Sequence, residues 1–271
     1  METKQKNLLR TIYTILFPAL CIVLLIVAAF RDYQLDASLN APENVFGQFL
    51  AHYGELPVYL VIPFAFAVLL RAAESKGKKI LFGVLYFAAG ILFGIQFTER
   101  WYSGDLKTVF AVLTGLALAL LCLLLLRRIS PETIKRLKPF ALFILMSAAC
   151  TALATEGMKQ IWGRVRFRDL DSQAQFIAWY LPQGRTGNKS FPSGHTSAAA
   201  SIFALIALPD VFAKLKKLEL PFFLIAAAFT FAVGISRMIV GAHYLSDIAM
   251  GAMLGFCFYS LFRKIYLEKR I

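Results

Sequence analysis

Eight apolar stretches of 15 to 20 residues divide this chain, and they restrict its fold more than any other feature. They run Thr11–Phe30, Leu56–Leu70, Ile80–Phe97, Thr108–Leu126, Phe140–Gly157, Gly194–Leu208, Leu220–Arg237 and Tyr244–Phe262. A helix crossing a roughly 30 Å hydrocarbon core needs about 20 apolar residues. In hydrocarbon each backbone N–H and C=O must be satisfied within the protein, which for segments of this length selects the helix. The second and sixth stretches are short, and the sixth opens on polar residues that need protein around them. The first exceeds a signal-peptide core and lacks a small-residue cleavage site, so it reads as a span. The pattern predicts an all-α polytopic transmembrane helix bundle with eight spans, one domain over residues 1–271, without repeats or long linkers.

The charges agree with this reading. Hydrophobic residues make up 59% and charged residues 17% of the chain, against about 45–50% and about 25% in soluble domains. A net charge of +13 would suit a nucleic-acid binder if the cations formed a patch on a polar surface. Instead they lie in short strips between the apolar runs, and no nucleic-acid partner is expected. Residues 1–10, 71–79, 127–139, 209–219 and 263–271 hold 19 of the 29 Lys and Arg residues. With eight spans these segments share one side, so the positive-inside rule puts both termini in the cytoplasm. Cys21, Cys122, Cys150 and Cys257 lie in apolar stretches with no CxxC pair, which argues against disulfide or zinc roles. Phe46, Phe49 and Leu50 in the 32–55 connection fit a short interfacial helix.

Chemistry-bearing residues concentrate on the opposite, outer side in three groups. The fifth span runs into Lys159-Gln-Ile-Trp-Gly-Arg164-Val-Arg166-Phe167-Arg168. If the helix continued, Lys159 and Arg166 would lie two turns apart on one face; the structural alternative is snorkelling anchors. Pro192-Ser193-Gly194-His195 opens the sixth span. There, free first-turn N–H groups and the helix dipole can hold an anion beside His195, or Ser193 is simply a cap. Ser236-Arg237 leads to His243 and Asp247, spaced i and i+4. A helical start to the eighth span would let Asp247 accept the Nδ1 proton and leave Nε2 as a nucleophile; a structural His–Asp hydrogen bond is the alternative.

Two of the chain's three histidines fall in these groups, while His52 stands elsewhere. Positioned cations, an oriented imidazole and a second imidazole together suit phosphoryl transfer from a monoester. The sequence offers neither a carboxylate cluster for Mg²⁺ nor a His/Cys set for zinc, so the expected chemistry uses no metal and no cofactor.

The three groups resemble the type 2 phosphatidic acid phosphatase superfamily, with motifs K-x6-R-P, P-S-G-H and S-R-x5-H-x3-D. Lys159-x6-Arg166, Pro192-Ser193-Gly194-His195 and Ser236-Arg237-x5-His243-x3-Asp247 agree in type, order and spacing. The resemblance implies that Lys159, Arg166 and Arg237 hold phosphate with Ser193 and the Gly194 backbone. It further implies that His243 forms a phosphohistidine, Asp247 orients it and His195 is the general acid. The chain departs from the pattern at Phe167, where the family has Pro. Membrane members commonly have six spans, so the resemblance implies a six-helix phosphatase core, with 80–126 as an added transmembrane hairpin and the catalytic motifs within 159–247. Related vanadate-dependent haloperoxidases are soluble, unlike a chain with these spans.

The expected function is removal of a terminal phosphate from an amphiphile at the outer leaflet of a bacterial plasma membrane. Phosphatidate, phosphatidylglycerophosphate, a polyprenyl diphosphate and a lipid A phosphate are the candidate substrates, and the partners are the substrate and membrane lipids. A lipid phosphotransferase, or a transporter or scaffold binding lipid phosphate without cleavage, is the alternative. Trp162, Trp179 and Tyr180 read as interfacial anchors or as walls of a headgroup pocket.

Overall fold

A computed structural model describes residues 2–268 of the chain, with side chains from Leu8 onward. Its elements are α1 Glu2–Leu39, α2 Val45–Tyr53, α3 Leu56–Arg71, α4 Lys76–Thr98, α5 Lys107–Arg127, α6 Pro131–Trp162, α7 Gly194–Ala199, α8 Leu208–Val211, α9 Glu219–Ile239 and α10 Leu245–Tyr266. Eight helical segments are long and apolar enough to cross a membrane, in agreement with the eight stretches in the sequence. The protein is an integral membrane helix bundle.

Local chemistry explains several boundaries. Ser75 and Ser130 cap α4 and α6, accepting from the N–H groups of Lys78 and Thr133. Asn44 likewise caps α2, accepting from the Gly47 N–H, and Phe46 and Phe49 of that helix are exposed. α1 extends well past the Thr11–Phe30 run, because Asp32 and Asp36 are buried against protein rather than exposed to lipid. The short sixth span is composite: α7 passes through a 3₁₀ stretch, Ala200–Ala207, into α8. Its polar start is enclosed, with Thr196, Ser197 and Ser201 all buried.

The core lies between α1, α3, α6, the Ala200–Ala207 stretch, α9 and α10. Phe17 of α1 contacts the rings of Phe203, Phe231 and Phe256, and Phe143 of α6 meets Tyr259 of α10 edge-on at 5.5 Å. α10 and α7 approach closely because glycines face the contact. A Cβ on Gly251 would meet the Ser193 carbonyl oxygen at 2.6 Å, and one on Gly255 would meet the Ala200 Cβ at 2.3 Å. α4 and α5 pack on each other and on α3, and turn many leucines outward as lipid-facing surface.

At the bundle end remote from the histidines, charged groups tie the helices together. Arg263 of α10 donates to Asp210 at 2.7 Å and to Glu219 at 2.9 Å, and Arg10 of α1 donates to the same two carboxylates at 2.6 and 2.7 Å. Tyr13 donates to Glu219 at 2.8 Å. Paired this way, ionic groups are tolerated near hydrocarbon.

Candidate active site

α6 delivers Lys159 to the site but does not carry Arg166 there. The expected two-turn helical spacing is not observed. α6 ends at Trp162, and Gly163 adopts φ 53° with its N–H donating to the Lys159 carbonyl. That left-handed cap suits glycine, and a Cβ there would also meet the Gly184 carbonyl oxygen at 2.1 Å. Arg166 therefore sits in extended backbone after the turn, at φ −76° and ψ 154°. This is also the conformation that a following proline favours. The Phe167 ring packs against Tyr33 and Tyr244.

The second group lies against the first. A Cβ built on Gly194 would meet Lys159 Nζ at 2.9 Å, so the ammonium rests over the start of α7. Ser193 is buried, and its Oγ accepts from the Thr196 N–H at 3.3 Å and the Thr196 hydroxyl at 2.9 Å. Thr155 of α6 donates to Ser197 of α7 at 3.1 Å, which fixes the two helices side by side.

The third group joins through the backbone, since the Ser193 N–H donates to the Asp247 carbonyl at 2.9 Å. His243 Nδ1 lies 3.4 Å from Asp247 Oδ2, and both side chains are buried. The pair does not arise as helical i,i+4 neighbours, because His243 precedes α10. Asp247 stands in the first turn of that helix, where Oδ2 also accepts the Tyr244 N–H at 3.0 Å. A carboxylate at this position favours the helix N-terminus and aligns the imidazole with the same oxygen.

Several residues with no motif position complete the arrangement. Arg164 is almost wholly buried; it donates to Asp247 Oδ1 at 2.8 Å, Ser246 Oγ at 2.7 Å, Asp32 Oδ2 at 2.9 Å and the Ile177 carbonyl at 2.9 Å. Its guanidinium carbon lies 3.9 Å from the centre of the Tyr244 ring. Ser190 donates to Asp247 Oδ2 at 2.5 Å. His195 Nδ1 stands 3.1 Å from Glu55 Oε1, and Arg100 donates to Glu55 Oε2 at 3.3 Å. The only signal for Arg164 in the sequence was its membership of a basic run, and Glu55 had none.

The electrostatics follow from burial among cations. Removal from water pushes the His243 imidazole down to about 4; hydrogen bonding to Asp247 and its charge oppose this, while Arg237 and Arg166 reinforce it. His243 is thus a neutral ring with Nδ1 against a carboxylate. Arg237 is buried, and its Nε has no hydrogen-bond partner among the described residues, a donor suited to an anion. Among the described residues no three His, Cys, Asp or Glu side chains are grouped as a metal site requires.

Trp162 and Trp179 are tied into the protein. Their indole N–H groups donate to the Trp179 and Leu25 carbonyls, the latter at 3.1 Å, and both rings pack on Phe191. They pin the 163–193 loop to α6 and α1, whereas Tyr180 is exposed.

Residues 139–271 match the sequence profile of the PAP2 superfamily. Phosphatidylglycerophosphatase B of Bacillus subtilis (strain 168) is 33% identical over 84 residues, which cover 30% of this chain and 41% of that protein. The chain thus aligns with less than half the length of this relative. No solved structure matches it. The three groups that meet at one end of the bundle all lie in the segment that matches the PAP2 superfamily.

Proposed function

We propose that this protein is an integral membrane phosphatase that hydrolyses a lipid phosphate by way of a phosphohistidine on His243. The observation that carries this reading is the convergence of the three groups: Lys159 rests over Gly194, and the Ser193 N–H is bonded to the backbone of Asp247, which holds His243. Lys159, Arg166 and Arg237 bind the phosphate oxygens, with the Ser193 hydroxyl and Gly194 N–H. His243 Nε2 attacks phosphorus as the bond to the leaving oxygen breaks, and Asp247 accepts the Nδ1–H and stabilises the charge on the ring. His195 gives its proton to the leaving oxygen. It then takes one from the water that attacks phosphohistidine, which releases phosphate and restores His243.

The name of the Bacillus subtilis relative makes phosphatidylglycerophosphate the first substrate to test; phosphatidate, polyprenyl diphosphates and lipid A phosphate follow. The positive-inside distribution supports cytoplasmic termini and a site on the outer face of a bacterial plasma membrane. Packing of α4 and α5 mainly on each other and on α3 supports a six-helix phosphatase core with 80–126 as an added hairpin. The test is phosphate release by purified protein from these four lipids, with and without EDTA and vanadate. Release that survives EDTA and is blocked by vanadate is expected. Binding without release would instead indicate a transporter or scaffold, and transfer of the phosphate to an added lipid acceptor would indicate a phosphotransferase.

A further inference from the structure

Beside the proposed proton carrier stands a carboxylate that the mechanism above does not use. Glu55, at the corner between α2 and α3, places Oε1 3.1 Å from His195 Nδ1. Its other oxygen accepts from Arg100 Nη2 at 3.3 Å. Arg100 lies in the connection between α4 and α5 and is itself fixed, since it donates to the His52 and Gln96 carbonyls. Both side chains of the Glu55–Arg100 pair are largely buried, at 14% and 10% exposure. The site therefore holds two carboxylate–imidazole pairs, Asp247 with His243 and Glu55 with His195.

A carboxylate on Nδ1 selects the tautomer of a neutral imidazole and fixes the ring plane, leaving Nε2 as the atom that exchanges protons. The groups facing His195 are the cations Arg237 of α9, Arg100 and Lys159 of α6, the neutral ring of His243, and Glu55. Glu55 supplies the negative charge against which an imidazolium can form among these cations. We propose that Glu55 is a positioning residue for His195, and that hairpin α4–α5 holds it in place through Arg100. This rests on the phosphatase reading. In the first step the Nε2 proton of His195 goes to the leaving oxygen as the P–O bond breaks. In the second, Nε2 takes a proton from water as its oxygen bonds to phosphorus and the P–N bond to His243 breaks. Nδ1 keeps its proton throughout, donated as a hydrogen bond to Glu55. The role also gives the hairpin a purpose: it braces a catalytic partner that lies outside the matched segment.

The experiment uses the full chain in nanodiscs with two substrates, phosphatidate and p-nitrophenyl phosphate, whose aryl leaving group needs little protonation. Glu55→Gln should lower turnover of phosphatidate about 30-fold with KM changed less than about threefold. The p-nitrophenol burst should persist while phosphoenzyme accumulates, because the water step still needs an oriented base. Arg100→Met should give a smaller loss of the same kind, and Glu55→Gln should add nothing in a His195→Ala background. If Glu55→Gln does not reach the membrane folded, as judged by vanadate binding, Arg100→Met carries the same comparison. Loss of the p-nitrophenol burst in proportion to the loss of phosphatidate turnover, additivity with His195→Ala, or wild-type rates in the variant would overturn the assignment while leaving the phosphatase reading intact. A wild-type chain that releases phosphate from neither of these nor from the other three candidate lipids would overturn both.

Discussion

Arg164 donates Nη1 to Asp247 Oδ1 at 2.8 Å, and both side chains are sealed from solvent. With Asp32 on its other nitrogen, Arg164 links α1 to the start of α10 and holds the carboxylate that faces His243. Breaking a buried ion pair by removing one partner leaves the other charge uncompensated. Arg164→Ala should therefore destabilise the fold by about 3–5 kcal/mol. The expected readout is a marked drop in thermal half-life in detergent. Arg164→Lys should also be impaired, because an ammonium cannot reach Asp247, Asp32, Ser246 and the Ile177 carbonyl in the same fork. An Arg164→Lys variant as stable as wild type would contradict this.

His243→Ala should abolish turnover and phosphoenzyme labelling, since it removes the nitrogen proposed to carry the phosphoryl group. Asp247→Asn should lower kcat by about 10³- to 10⁴-fold while leaving measurable turnover, because the ring loses its orienting acceptor but not its nitrogen. Radiolabelled phosphoenzyme trapping checks both variants, and labelling that persists in His243→Ala would exclude His243 as the phosphorylated residue.

The imidazole of His243 should stay neutral through the physiological range. Burial holds it down to about 4, so its lone pair is available above that pH and is lost only as acid approaches it. In the unfolded chain the ring takes a proton near pH 6.5, which the folded site refuses until about 4. Stability present above about 6.5 is therefore lost as pH falls through this window. Imidazole ¹⁵N spectra of histidine-labelled protein, assigned with His243→Ala, should show one ring still neutral at pH 5. A ring titrating near 6.5 in that position would refute the assignment.

Orientation is testable with single cysteines in a background lacking the four native ones. Ser172, in the loop on the histidine side, and Ser130, at the far end of α6, are both exposed. Cysteine at 172 should react with an impermeant maleimide in intact cells and cysteine at 130 should not. Reversed labelling would move the proposed catalysis to the cytoplasmic face.

The sequence alone determined the eight spans and the three groups, for reasons local to each segment. Span length answers to membrane thickness, and the spacings within Pro192–His195 and Arg237–Asp247 were readable because each group lies within a few residues. Tertiary structure decided which arginine does what. Arg164, Arg166 and Arg168 share one charge and one neighbourhood in sequence; only the turn at Gly163 and the path of the loop bury Arg164 against Asp247 and Asp32 while leaving Arg166 less enclosed. His243 and Asp247 were paired correctly by spacing, yet their geometry comes from a capping turn that periodicity does not reveal. Glu55 and Arg100 had no sequence signal because their relation to His195 exists only across helices far apart in the chain. Periodicity records which face a residue takes on its own helix; which other helix that face meets depends on how the whole bundle excludes lipid and satisfies its buried charges.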